Sequence, residues 1–342
     1  MFLKVFGKSP AGDNLKKIQQ SPNYTKNSFQ NLLPTKLMEN ASFISILWKF
    51  LNKPKNTIPT ERLPSCTTNL KALPDGENVI VWFGHSSYLI KMGGKHILVD
   101  PVFSGHASPF SFTTKSFAGT DVYKVGDLPY IDILIISHDH YDHLDYETIN
   151  NLGSNVGVIC TSLGVSSHLV YWGIEKKKII EFDWWEGHEI IEGIHVTAVP
   201  ARHFSGRSFV RNKTLWSSFV LKSNNCSLFI GADSGYGDHF KAIGEKYGPF
   251  EVAILECGQY NIAWHNIHMM PEETVQASLD LKAAVLMPVH WGKFSISLHP
   301  WDEPIKRLCI KAEQLHVKVT TPLIGEPVLV GKYYPNNKWW VG

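Results

Sequence analysis

The sequence predicts an α/β protein, and three observations carry that reading. A meander of short β-branched runs fills Val79–Val99, with a Gly93-Gly94 turn between its last two members. Beyond it, apolar runs of strand length alternate with helix-length segments, the order that builds mixed layers. The second half then repeats the first: runs at Trp216–Leu221, Ser227–Gly231, Val252–Leu255 and Ala283–Val289 stop abruptly at polar residues.

In chain order, residues 1–65 are rich in Pro, Asn and Lys and poor in strand signals, so they form an extension ahead of a main domain over 66–342. Within the extension, Leu37–Leu51 has a helix's length, with Pro54 just beyond it. Phe43, Ile44, Leu47, Trp48 and Leu51 share one face, which suits packing on the core, a homodimer contact, a peripheral membrane contact or a gate over substrate. The meander follows and ends on Asp100. A long segment, Val102–Asp127, shows no clear element but carries Phe110, Phe112 and Phe117. These rings serve either as a wall for an apolar substrate or as pins holding the loop to the core.

The run Ile131–Ile136 is a buried strand that breaks at Ser137 into S-H-D-H-Y-D-H-L-D. Side chains two apart in extended chain point the same way, so His138 and His140 can bind one metal. Asp142 and His143, past the turn, face a second position. Tyr146–Leu152 and Leu163–Trp172 then read as helices around a strand at Val156–Thr161, and Pro271–Leu281 as a helix with Pro at its first position.

H-x-H-x-D-H after a buried strand resembles the signature of the metallo-β-lactamase superfamily, which implies a four-layer αββα sandwich with one or two metals at its edge. The resemblance also implies further ligands. His203, at the strand-ending A-R-H, would join His138 and His140; Asp233, at G-A-D-S-G-Y, would bridge both metals; His290 would complete the second position with Asp142 and His143. Asp100 stands where the family carries an Asp that supports the metal loop, and His85 in G-H-S-S offers similar support.

The words between the ligands resemble, more narrowly, the phospholipases D that hydrolyse N-acylphosphatidylethanolamine and their bacterial relatives. These are D-W-W-E, G-A-D-S-G-Y, I-H-M-M-P-E-E and H-W-G-K-F, with a weaker S-P-N-Y…F-Q-N over Ser21–Asn31. The resemblance implies a metal-dependent hydrolase with two divalent ions per chain, zinc by default and iron or manganese as alternatives. It would be a phosphodiesterase using a metal-bridging hydroxide, with a lactonase or thioesterase as the other chemistry this ligand set permits. Asp142 would also hold the hydroxide's proton, and His268 would donate to the substrate.

Composition removes other classes. A net charge of +2 lacks the concentrated basic field that nucleic acid demands. Five widely spaced cysteines without a C-x-x-C pair fit reduced thiols and a cytoplasmic setting, and no run approaches a membrane span, which leaves a small-molecule or lipid-like ester as the partner.

Overall fold

The computed structural model describes residues 2–39, 41–208 and 210–341. Its strands in chain order are β1 (Tyr24–Thr25), β2 (Ser28–Phe29), β3 (Val79–Trp82), β4 (Tyr88–Met92), β5 (Lys95–Val99), β6 (Ile131–Ile136), β7 (Val156–Ser162), β8 (Ile179–Phe182), β9 (Gly187–Ile191), β10 (Ile194–Pro200), β11 (Ser217–Ser223), β12 (Cys226–Ile230), β13 (Phe250–Glu256), β14 (Ala283–Val289) and β15 (Pro327–Leu329). The helices are α1 (Gly12–Ile18), α2 (Phe43–Leu51), α3 (Tyr146–Leu152), α4 (Ser166–Tyr171), α5 (His239–Tyr247), α6 (Pro271–Asp280) and α7 (Glu303–Gln314).

Two sheets take up most of these strands. One runs β15-β3-β4-β5-β6-β7-β8 and the other β14-β13-β12-β11-β10-β9. Period-two alternation explains how the first sheet is buried on both faces. Ile97 and Val99 point into the core between the sheets, while Leu98 between them points to the outer layer, where it meets Ile149 and Leu152 of α3 and Leu169 of α4. The second sheet turns Val196, Phe219, Leu221 and Ile254 into the shared core, and α5, α6 and α7 contribute Phe240, Val275 and Leu308 to the same cluster. This is an αββα sandwich. Strands covered on both sides read as continuous apolar runs, which is why they stand out in the sequence.

Strand direction positions the site. β5, β6 and β7 are mutually parallel, as are β12, β13 and β14, and two antiparallel steps bring β3 and β10 into line with them. The carboxyl ends of β3, β5, β6, β10, β12, β13 and β14 all precede site residues.

The first predicted helix needs correction. It spans Phe43–Leu51 and not Leu37–Leu51, because the Ser42 hydroxyl accepts from Ser45 N at 3.1 Å and caps it there. Asn40, inside the predicted span, lies outside the described residues, as does the side chain of Phe43. Nor does the shared apolar face cover core. Ile44, Leu47, Trp48 and Leu51 are 78, 48, 65 and 77% exposed, and the helix is seated by buried Ile46 and by Phe50, whose ring stacks on Trp264. The rest of the N-terminal extension is fastened down, with Ile18 and Phe29 clustered with Leu163, Trp184 and Trp216.

Candidate metal centre

Three imidazoles, those of His138 and His203 buried and that of His140 half-buried, converge at the edge between the sheets. His138 Nε2 lies 2.9 Å from His140 Nδ1, which is 3.2 Å from His203 Nε2. The other nitrogens of two of them are committed: His203 Nδ1 donates to the Ile267 carbonyl at 2.8 Å, and His138 Nδ1 meets Ser137 Oγ at 3.0 Å. Burial pushes His138 and His203 well below the ordinary imidazole range and His140 down to about 4, so all three present lone pairs. Lone pairs facing one another at such distances repel unless a proton or a cation sits between them. Ligands at ~2.0–2.1 Å from a tetrahedral ion are themselves ~3.3 Å apart, close to what is seen.

A second group stands beside the first. His143 Nε2 and His290 Nδ1 lie 3.1 and 3.2 Å from Asp233 Oδ1, and Asp142 Oδ2 lies 3.6 Å from His143 Nε2. His143 Nε2 and Asp233 Oδ1 make no hydrogen bond despite their proximity, which leaves two buried polar atoms aimed at a common point. Such orphaned atoms fit a cation. Asp233 Oδ2 turns the other way, 3.6 Å from His203 Nε2 and 3.9 Å from His138 Nε2. Burial raises the Asp233 carboxyl to about 6 against the pull of His143. At Asp142 burial also works upward, but His143 and His85 override it and hold the carboxylate ionised.

The supporting shell is dense. Asp100 accepts from Ser137 N at 2.8 Å and Ser137 Oγ at 2.6 Å, and takes the Nδ1 proton of His143 at 2.8 Å, so it fixes both the loop and a ligand's tautomer. His85 Nε2 meets Asp142 Oδ2 at 3.0 Å, and Ser86 Oγ meets His290 Nδ1 at 2.8 Å. His85, Asp100 and His290 all hold positive φ, at 52°, 39° and 65°, a strained backbone that the surrounding structure must enforce. From the extension, Asn31 bonds both the N–H and the carbonyl of His203.

Two connections were not read from sequence. Glu256 closes β13 and receives His268 Nδ1 at 2.6 Å, while its other oxygen accepts from Ser234 N at 2.8 Å. A strand that ends on a carboxylate was the available signal. Asp139, between the two motif histidines, accepts from His168, Gly206 and Thr214, and Arg207 ties the Asp139 and Leu144 carbonyls to Val5 in the N-terminal turn.

The aromatic residues separate. Phe110 and Phe112 line a cavity of about 510 Å³ against Tyr141 of the metal loop. Phe117 is only 4% exposed and lies apart from that cavity, and Trp48 is on the open face of α2. His268 is mostly buried, its ring 4.9 Å from His203 and 5.3 Å from His290.

Residues 95–291 match the beta-lactamase superfamily domain. The chain belongs to the metallo-β-lactamase superfamily. As a superfamily member it is a metal-dependent hydrolase, and the clustered ligands above imply divalent metal. An uncharacterized protein of Mycobacterium tuberculosis is 38% identical over 328 residues, covering 94% of this chain and 88% of that one. N-acyl-phosphatidylethanolamine-hydrolyzing phospholipase D 1 of Caenorhabditis elegans is 32% identical over 257 residues, 68% of this chain and 70% of that one. Among solved structures, the metallo hydrolase Igni18 of Ignicoccus hospitalis superposes with a TM-score of 0.57 at 20% identity, over 73% of this chain and 97% of that one. Within the superfamily fold, this hydrolase assembles its ligands from both sheets.

Proposed function

We propose that this hydrolase is a dinuclear phosphodiesterase of the phospholipase D kind, acting on a lipid-like ester. The observation that carries the dinuclear reading is Asp233, whose two oxygens face different ligand groups: Oδ2 the imidazoles of His138 and His203, Oδ1 those of His143 and His290. His140 completes the first group and Asp142 the second. Two divalent ions held there, zinc by default for His/Asp donors, would acidify a shared water towards pKa ~7 and supply hydroxide at neutral pH.

The chain's own residues do the rest. Asp142, oriented by His85, accepts the proton of the attacking water. Asp100 keeps Nδ1 of His143 protonated and its Nε2 free. His268 stands beside both ligand groups with Nδ1 already bonded, so its Nε2 is the atom left to meet a substrate oxygen. Support for a lipid-like substrate comes from the worm relative's name, from the apolar lining of Phe110 and Phe112 beside Tyr141, and from the outward apolar face of α2, which would rest on a membrane surface near the site.

Elemental analysis of metal-supplemented protein, with turnover of bis-p-nitrophenyl phosphate against a panel of lactones, tests the reading. Close to two ions per chain and phosphodiester turnover are expected, with both lost in Asp233→Ala. A single ion per chain, or lactone turnover without phosphodiester turnover, overturns it.

A further inference from the structure

We infer that Glu256 is a positioning residue for His268, and that the two act as one proton-donating unit aimed at the leaving oxygen of the substrate. The inference rests on the phosphodiesterase reading above and deepens it. Glu256 is fully buried, and its carboxylate is shared among three donors: His268 Nδ1 at 2.6 Å on Oε2, with Ser234 N at 2.8 Å and Met269 N at 3.3 Å on Oε1. Two backbone N–H groups therefore fix the carboxylate, and the carboxylate fixes the ring. Its Nε2 edge is left on the side of the ring away from that bond, and the ring lies 4.9 Å from that of His203 and 5.3 Å from that of His290. A buried carboxylate is expensive unless it does something for its partners, and Glu256 forms no ion pair with Lys or Arg among the described residues.

The step balances. Hydroxide oxygen forms a bond to phosphorus as the bond to the leaving oxygen breaks, and that oxygen takes the proton from His268 Nε2. The Nδ1 proton stays in the bond to Glu256. Water restores the Nε2 proton when the product leaves. A donor of this kind matters in proportion to how poorly the leaving group departs unaided.

That proportionality is the test. Turnover is measured on methyl aryl phosphodiesters whose phenols run from p-nitrophenol to phenol, for the parent, His268→Ala, Glu256→Gln and Glu256→Asp, with metal content assayed throughout. His268→Ala and Glu256→Gln are expected to lose about 10²-fold on the phenyl ester and distinctly less on the nitrophenyl ester, steepening the dependence on leaving-group pKa. Metal content should stay with the parent's, KM should change little, and Glu256→Asp should recover part of the loss. If His268→Ala steepens the series and Glu256→Gln does not, the inference falls and the role of His268 survives. Loss of metal in both Glu256 variants makes the carboxylate part of the metal support and also overturns it. A parent that hydrolyses no phosphodiester takes down the reading and the inference together.

Discussion

Asp100 shows how much of this site is decided one residue away from the ligands. Its two oxygens take the Ser137 backbone, the Ser137 hydroxyl and His143 Nδ1, so one carboxylate sets the metal loop's first turn and the tautomer of a ligand. Asp100→Asn preserves the shape but offers an N–H where His143 or Ser137 also donates. Metal affinity in a chelator competition is therefore expected to fall about 10–100-fold, with a stability loss of about 1–3 kcal/mol in the metal-free protein. Unchanged affinity would reduce Asp100 to a loop cap. Four of the candidate ligands were legible because they stand where an apolar run breaks: His138 after Ile136, His203 after Pro200, Asp233 after Ile230, His290 after Val289. Glu256 ends an apolar run in the same way but has no histidine beside it in sequence. Its partner, His268, is twelve residues on and meets it only through the fold.

At the scale of elements, boundaries were harder to read than existence. α2 begins at Phe43 because a serine hydroxyl caps it, whereas the predicted span from Leu37 rested on length and on Pro54 beyond its end. Neither α7 nor β15 was read from the sequence, and α5 begins on a histidine with a separate consequence. His239 is buried against Ser234 Oγ at 3.0 Å, and burial pushes it down to about 3. Its folded value lies below the unfolded ~6.5, so between those limits the unfolded chain binds a proton that the native protein does not. Stability from this group is complete above pH 6.5 and is lost as pH falls, at ~1.4 kcal/mol per unit. Between pH 7 and 5 the parent should therefore lose about 2 kcal/mol more than His239→Gln, read from urea midpoints. Parallel losses in the two proteins would show that His239 protonates without penalty. The element that most exceeds a soluble protein's needs is α2. With four large apolar side chains turned outward, it should bring the parent down with sedimenting phosphatidylcholine vesicles, and Trp48→Ser with Leu51→Ser should leave it in the supernatant. If the double variant still sediments, α2 is no anchor. If it changes oligomeric mass by light scattering, the face joins two copies.

Across the whole molecule, the N-terminal segment and the metal loop form one unit. Arg207 Nη2 bonds the Val5 carbonyl at 2.8 Å while Nη1 holds the Asp139 and Leu144 carbonyls, and Lys8 N donates to His168 Nδ1, which passes the constraint to Asp139. No helix among the described residues is long and apolar enough to cross a membrane. The layered architecture was legible because both sheets are covered on both faces, but which sheet supplies which ligand was not. His138, His140, Asp142 and His143 follow β6 in one sheet, while His203, Asp233 and His290 follow β10, β12 and β14 in the other. The cluster of His138, His140, His203 and Asp233 and that of His85, Asp142, His143 and His290 therefore each draw donors from both halves of the sandwich. Across that seam His290 N also donates to the His85 carbonyl at 2.9 Å, and His85 N to the Trp291 carbonyl at 3.1 Å. An ion held there would be a rivet through two plates. It would not leave by the loosening of one loop, because the opposite plate would still grip it, so its departure would be timed by how often the seam itself gapes. Catalytic lifetime and mechanical cohesion would then become one quantity, and whatever pries the halves apart would empty the site as it does so.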